Sequence, residues 1–172
     1  EVSARTDEIR FELAGEGPMQ GEIQERIDKY HLGERFVLRG HVQDVNTFYR
    51  GLDVYLNTSW HEGIPMSVLE AMAQGVPPIA PRVGGLAEIV TDGVDGYLVA
   101  GRDPRDFADR CMTLYNNETL RRDMARAARE KVIGKFSIGK MVSAYLDVYM
   151  RAIELAGQGK RGDQQREKRR FS

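Results

Sequence analysis

The stretch that decides the fold runs Trp60-His61-Glu62-Gly63-Ile64-Pro65-Met66-Ser67-Val68-Leu69-Glu70-Ala71-Met72-Ala73-Gln74-Gly75-Val76-Pro77. It follows a short apolar run ending at Asn57-Thr58-Ser59, and it predicts a strand that passes through a Gly/Pro loop into a short helix. Glu62 and Glu70 stand at its two ends. With Glu70 expected about two turns into a helix rising roughly 1.5 Å per residue, the carboxylates should lie ~8–12 Å apart. Carboxylate pairs that flank one glycosidic bond sit roughly 5–9.5 Å apart, so the spacing only weakly disfavours an acid/base pair. It suits better a ligand gripped at both ends, with the helix N-terminus between them offering free N–H groups to an anion. A sugar, a phosphate and a ribose in a row would match. On spacing alone, a dipole-favourable Glu and a solvated helix residue explain the pair equally well.

Working outward, strand-like and helical runs alternate on both sides of this stretch. Ile9-Arg10-Phe11-Glu12-Leu13-Ala14 alternates with strand period and stops at Gly15-Glu16-Gly17-Pro18, and a helix is expected over about 19–31. Phe36-Val37-Leu38 is a second strand, ending at Arg39-Gly40-His41-Val42, with Asp44 placed to cap the helix through Tyr49-Arg50. Val54-Tyr55-Leu56 and Pro78-Ile79-Ala80 are the next strands. Val83-Gly84-Gly85-Leu86-Ala87-Glu88-Ile89-Val90 reads as a glycine loop opening a short helix, whose N–H groups could face an anion. Asp92-Gly93-Val94-Asp95-Gly96 is a turn before a last strand, Tyr97-Leu98-Val99, and has no calcium-loop spacing. Strands alternating with helices in this way predict an α/β fold, a Rossmann-like parallel sheet with helices on both faces and ligands at the carboxyl ends of the strands.

From Asp103-Pro104 the chain turns helical, with Asp103 as N-cap and Pro104 at the first helical position. Helices are expected to about Asn116, from Glu118 to about Ile133, and from Ser137 to about Leu155. In the last, Met141, Tyr145, Val148 and Tyr149 are spaced for one buried face. Residues 1–8 read as a residual linker or helix end, 9–156 as the folded domain, and 157–172, which contains Lys160-Arg161 and Lys168-Arg169-Arg170, as a disordered basic tail.

Composition bounds the partners. The 172 residues are 41% hydrophobic and 30% charged, with a net charge of −1, so nothing global draws the chain to nucleic acid or an anionic bilayer. Weak membrane-surface contact through the tail is the local exception. The single cysteine, Cys111, is expected in the core and fits a reducing, cytoplasmic setting, at most peripheral to the inner membrane surface. No apolar run reaches the ~18 residues of a membrane span.

The central stretch resembles the Glu-x7-Glu signature of the family-4 retaining glycosyltransferases of GT-B architecture. The shared run is Glu62-Gly63-Ile64-Pro65 through Leu69-Glu70-Ala71-Met72-Ala73 to Gly75 and Pro77. Phe11-x-Leu13-x-Gly15-x-Gly17-Pro18, Asp53-Val54, Gly84-Gly85-x-x-Glu88-Ile89-Val90 and Asp92-Gly93-x-x-Gly96-Tyr97-Leu98-Val99 extend the likeness from about Ile9 to Tyr149. All of it belongs to the C-terminal, donor-nucleotide half of such enzymes.

The resemblance implies a donor-binding domain for a nucleotide sugar of UDP, GDP or ADP type. Glu62, the one candidate catalytic residue, would contact sugar hydroxyls, beside a loop of Gly63, Ile64 and Pro65; Pro65 brings no N–H to it. Ser67 would face the diphosphate and Glu70 would accept from both ribose hydroxyls, as a two-oxygen acceptor can. Gly15, Gly17 and Val42 fall on loops near the phosphates and base, and Gly84 and Gly85 on another phosphate loop. The resemblance implies no cofactor and no divalent metal, since fixed N–H groups and cations can stabilise the departing diphosphate.

The chain departs from the family in one respect. The family's Arg and Lys for the diphosphate come from a strand and helix upstream of the Phe11 strand, and residues 1–8 do not contain that segment. The acceptor would bind through an N-terminal domain that these residues also lack, so turnover by this stretch alone is not expected. The competing readings are a non-catalytic Rossmann-like interaction module, and a GT-B epimerase or phosphorylase.

Overall fold

The computed structural model describes residues 1–168, with side chains to residue 155. The chain divides into two compact units, residues 1–132 and 133–172. The first begins with a helical turn over Val2–Ala4 and continues as β1 (Phe11–Ala14), α1 (Gln20–Lys29), β2 (Phe36–Gly40), α2 (Val45–Arg50) and β3 (Tyr55–Leu56). Then follow α3 (Met66–Ala73), β4 (Pro78–Pro81), α4 (Leu86–Ile89), β5 (Tyr97–Val99), α5 (Pro104–Asn116) and α6 (Glu118–Lys135). The second unit is built on α7 (Ile138–Lys168).

Every strand pair is parallel, as the alternating pattern predicts. The single sheet expected from the sequence is instead divided. β1 pairs with β2, while β3, β4 and β5 form a second sheet in that order. Among the described residues, no hydrogen bonds join the outer edges of β1 and β3. Between them lies an apolar cavity of about 370 Å³, lined in part by Phe11, Phe36, Leu56, Phe107 and Cys111.

The core explains which elements are firm. β4 is buried at every residue, as a strand flanked on both edges and covered on both faces must be. Its Ile79 packs with Tyr97, Val99, Leu114 and Met124, drawn from β5, α5 and α6. A second cluster joins Tyr49 of α2 to Ala71 of α3 and to Val76, with Tyr55 against it. The two expected caps are made: Asp44 accepts from the Thr47 N–H at 3.0 Å and Asp103 from the Arg105 N–H at 2.9 Å.

Two expectations are corrected in the second unit. Met141, Tyr145, Val148 and Tyr149, spaced for a buried face, are all more than half exposed. Among the described residues α7 is the main element of its unit, and its apolar stripe has no second element of that unit to pack on; Tyr145 and Tyr149 stack on each other instead, ring centroids 6.4 Å apart. The helix also continues from Leu155 to Lys168, where a disordered tail is expected. Lys, Arg, Gln and Glu are good helix formers, and glycines at 157, 159 and 162 weaken a helix without the backbone clash that proline brings. Residues 169–172 of the expected tail lie outside the described residues.

Candidate functional site

Two parallel sheets present their carboxyl ends, and the sequence-predicted residues gather there in two groups. The first is held by backbone: the Gly15 N–H donates to the Gly40 carbonyl at 2.7 Å, with Gly15 at φ +130° and Gly40 at φ +60°. Glu16 reaches across, its Oε1 accepting from the His41 N–H at 3.3 Å. These contacts bring the loop of Gly15 and Gly17 beside the loop of the half-buried Val42.

The second group is the central stretch. α3 buries Val68, Leu69, Ala71 and Met72, and turns Met66 and Glu70 outward, four residues apart on one face. Glu70 is the fifth residue of α3, so it stands little more than one turn from the helix start, not two. Pro65 is the N-cap and is buried; it adds no donor, and no side chain caps the helix. The N–H groups of Met66 and Ser67 therefore open the helix toward solvent, as unpaired helix-terminal donors do.

Each carboxylate is held from below. Asn57, only 5% exposed, donates from Nδ2 to Glu62 Oε1 at 3.1 Å, while its Oδ1 accepts from the Ser59 N–H at 3.0 Å. Tyr49, 7% exposed, donates its hydroxyl to Glu70 Oε2 at 3.2 Å. Burial, with the neighbouring Tyr55 and Glu70 adding to it, raises the Tyr49 phenol well above its usual range, so it stays a donor. Tyr55 is raised as well, chiefly by burial, against an opposing contact with the Ser67 hydroxyl; the Glu62 and Glu70 carboxylates add to the upward shift. The Tyr49 and Tyr55 rings meet edge to face, centroids 5.7 Å apart.

The Gly84-Gly85 loop closes on the Glu62 loop from the other side. The Gly85 N–H donates to the Gly63 carbonyl at 2.9 Å. A Cβ at Gly84, whose φ is +51°, would stand 1.7 Å from the Glu62 carbonyl oxygen, and one at Gly85 2.4 Å from that of Gly63. Glycine is required at both positions by this close backbone approach. It also means that the Gly85 amide, expected to be free for an anion, is already paired within the protein.

Sequence reasoning missed two features. Arg102 lays its guanidinium on the Trp60 ring, 3.7 Å from the centroid, and donates to the Trp60 carbonyl at 2.8 Å. These contacts fix the entry to the Glu62 loop, and their only sequence signal is an Arg after the last strand. The second is the support of the two carboxylates by the buried Asn57 and Tyr49, contacts that nothing local in the sequence signals. The apolar cavity between β1 and β3 reaches the site at Thr58, Ser59, Trp60 and Arg102, and neither carboxylate lines it.

Comparison with known proteins gives the family. The sequence profile described as "Glycosyl transferases group 1" matches residues 1–117. The chain belongs to this glycosyltransferase family. It is 36% identical to N-acetyl-alpha-D-glucosaminyl L-malate synthase of Bacillus anthracis, across 80% of this chain and 36% of that protein. It is 26% identical to poly(ribitol-phosphate) alpha-N-acetylglucosaminyltransferase of Staphylococcus aureus, across 86% of this chain and 30% of the relative. A solved mutant of S. aureus TarM, described in complex with Fondaparinux, alpha-GlcNAc-glycerol and UDP, superposes with a TM-score of 0.81 at 26% identity, again over 86% and 30% of the two chains. Anabaena HepE in complex with UDP gives a TM-score of 0.82 at 21% identity, over 87% and 43%, a likeness of fold. This group 1 glycosyltransferase chain thus spans well under half the length of these relatives, and its parallel sheets, helices and helical C-terminus match the C-terminal domain of GT-B enzymes.

Proposed function

We propose that this chain is the donor-binding part of a retaining glycosyltransferase that moves a sugar from a nucleoside diphosphate to an acceptor. The observation that carries the reading is the way Glu62 and Glu70 are held, each by a hydrogen bond from a buried neutral donor, on either side of an uncapped helix start. Two fixed acceptors suit hydroxyl-bearing groups, the donor sugar at Glu62 and the ribose at Glu70. The N–H groups of Met66 and Ser67, with the Ser67 hydroxyl, suit the diphosphate between them. As the glycosidic bond to the donor breaks, negative charge gathers on the departing diphosphate, and fixed dipoles aimed at it stabilise that charge without reorganising.

In this reading the reaction uses no divalent metal, and Gly15, Gly17, Val42 and Gly84 border the phosphates and base. Acceptor recognition, and the cations that complete the phosphate site, come from outside these residues. The same reading places the domain on the cytoplasmic side, where its basic tail could meet an anionic bilayer. The UDP complex of the TarM mutant supports a nucleotide ligand of this class.

Titration of the full-length protein with UDP, GDP and ADP, followed by thermal shift or NMR, tests the proposal. One nucleotide is expected to bind, with Glu70→Ala weakening it about tenfold or more, the range for losing an acceptor to two hydroxyls. No response to any of the three, or Glu70→Ala binding like the wild type, would sink it. Isomerised donor without acceptor, or phosphorolysis with inorganic phosphate, would point to other GT-B chemistry.

A further inference from the structure

The pairing of Tyr49 with Glu70 crosses from α2 to α3, and nothing in the α3 sequence itself requires it. Tyr49 is almost wholly buried, with its ring fixed by Phe48 on one side and Tyr55 edge-on at the other. Its hydroxyl is the one polar atom on that ring, and it reaches an exposed carboxylate 3.2 Å away. The Glu70 carboxylate has no other hydrogen-bond partner among the described residues, so one of its oxygens is tied to the core and the other is left outward.

An unrestrained glutamate on a helix samples several rotamers, and holding it in one carries an entropic cost. A rigid phenol supplies that restraint before any ligand arrives. Because burial raises the phenol's pKa, the hydroxyl remains a donor at neutral pH, and a neutral donor does not neutralise the carboxylate as a lysine would.

We infer that Tyr49 is a positioning residue for nucleoside recognition: it preorients Glu70 so that its outward oxygen meets the ribose hydroxyls of the bound nucleotide. This rests on the donor-site reading above and adds a residue to it. The role is one of selectivity, because a carboxylate held in place discriminates ligands that present a vicinal diol from those that lack one hydroxyl.

The test uses the full-length protein and Tyr49→Phe, which keeps the ring and its packing and removes only the hydroxyl. The probe is whichever of UDP, GDP or ADP binds most tightly, together with its 2′-deoxy counterpart. Tyr49→Phe is expected to weaken the ribonucleotide roughly three- to tenfold, the range for one hydrogen bond, and to weaken the 2′-deoxynucleotide less, so that the preference for ribose narrows. In a Glu70→Ala background the same change is expected to have no further effect, since Tyr49 acts through that carboxylate.

A merely structural role would lower both affinities equally, or lower the melting temperature without narrowing the preference, and either outcome overturns the inference. Wild-type affinity and preference in Tyr49→Phe would overturn it as well, while leaving the donor-site reading intact if Glu70→Ala still binds weakly. Were Glu70→Ala itself to bind like the wild type, the donor-site reading would fail first. Tyr55→Phe, which removes a hydroxyl not bonded to Glu70, serves as the control and is expected to leave the ribose preference unchanged.

Discussion

At the scale of single residues, the contact that decides the site is backbone against backbone. Gly84 sits at φ +51° with the Glu62 carbonyl where a Cβ would go, 1.7 Å away. Gly84→Ala therefore adds left-handed strain to a clash that only movement of the Glu62 loop can relieve, and should cost about 2–4 kcal/mol. Chemical denaturation checks the magnitude, and weaker nucleotide binding than the stability loss explains would show that the loop has moved. Gly17, where an added Cβ meets nothing, should accept alanine with little change. Trp60 offers a direct view of the same loop, being the only tryptophan in the chain. Arg102→Ala removes a guanidinium from its ring and a donor from its carbonyl, and should shift the indole emission and raise its quenching by iodide, with a small loss of stability of about 0.5–1 kcal/mol. An unchanged spectrum would mean that the stack does not persist in solution.

At the scale of elements, what is local in sequence could be read and what is distant could not. Asp103-Pro104 opens α5 as its cap chemistry predicts, and the Asp103 carboxyl, hydrogen-bonded by the Arg105 side chain and N–H, is held down to about 2. A depressed carboxylate pKa stabilises the fold above the ordinary carboxylate range and loses that contribution as pH falls toward 2. The Glu62-to-Glu70 run, its strand and its helix were legible for the same reason, since a turn, a glycine and a helix start lie within a few residues. The partners of those carboxylates were not, because Tyr49 meets Glu70 across 21 positions and no periodicity links α2 to α3. The turn at Asp95 is the clearest case. Its sequence signals only a bend, yet Asp95 is 3% exposed and pairs with Lys131 of α6 at 2.9 Å, while Lys131 also donates to Thr91 Oγ1 at 2.7 Å. Lys131→Ala would leave that carboxylate buried without its cation, and should destabilise the protein by about 3 kcal/mol. Lys131→Arg should recover part of the loss. A difference below about 1 kcal/mol in the alanine variant would show that solvent reaches Asp95.

At the scale of the whole molecule, the division of the sheet has a measurable consequence. Alternation told each strand from its neighbours but could not tell whether neighbouring edges meet, because β1 and β3 are joined by no local signal and by no hydrogen bond among the described residues. In a parallel ladder the amides of alternate residues point to opposite edges. Phe11 and Gly15 donate toward β2, and Tyr55 and Asn57 donate toward β4, so the amides of Glu12 and Ala14 on β1 and of Leu56 and Thr58 on β3 point away from their partner strands, and Leu56 and Thr58 line the cavity. These four should exchange with solvent deuterium almost as fast as unprotected amides, while those of Ile79 and Ala80 on the buried β4 exchange only on global unfolding. Cys111 reads the same cavity from its wall. Burial pushes its thiol up to about 11, so the thiolate is scarce at neutral pH, and alkylation should speed up about tenfold per pH unit to beyond pH 10 instead of levelling near 9. The raised pKa also means that the thiol's contribution to stability is complete below its unfolded value and fades as pH rises toward 11. Slow exchange at Leu56 and Thr58, matching Ile79, would show that a strand from elsewhere in the protein closes the gap. Fast exchange at both edges, with Cys111 alkylated at the rate its thiolate fraction allows, would show two parallel sheets standing side by side with the cavity open between them.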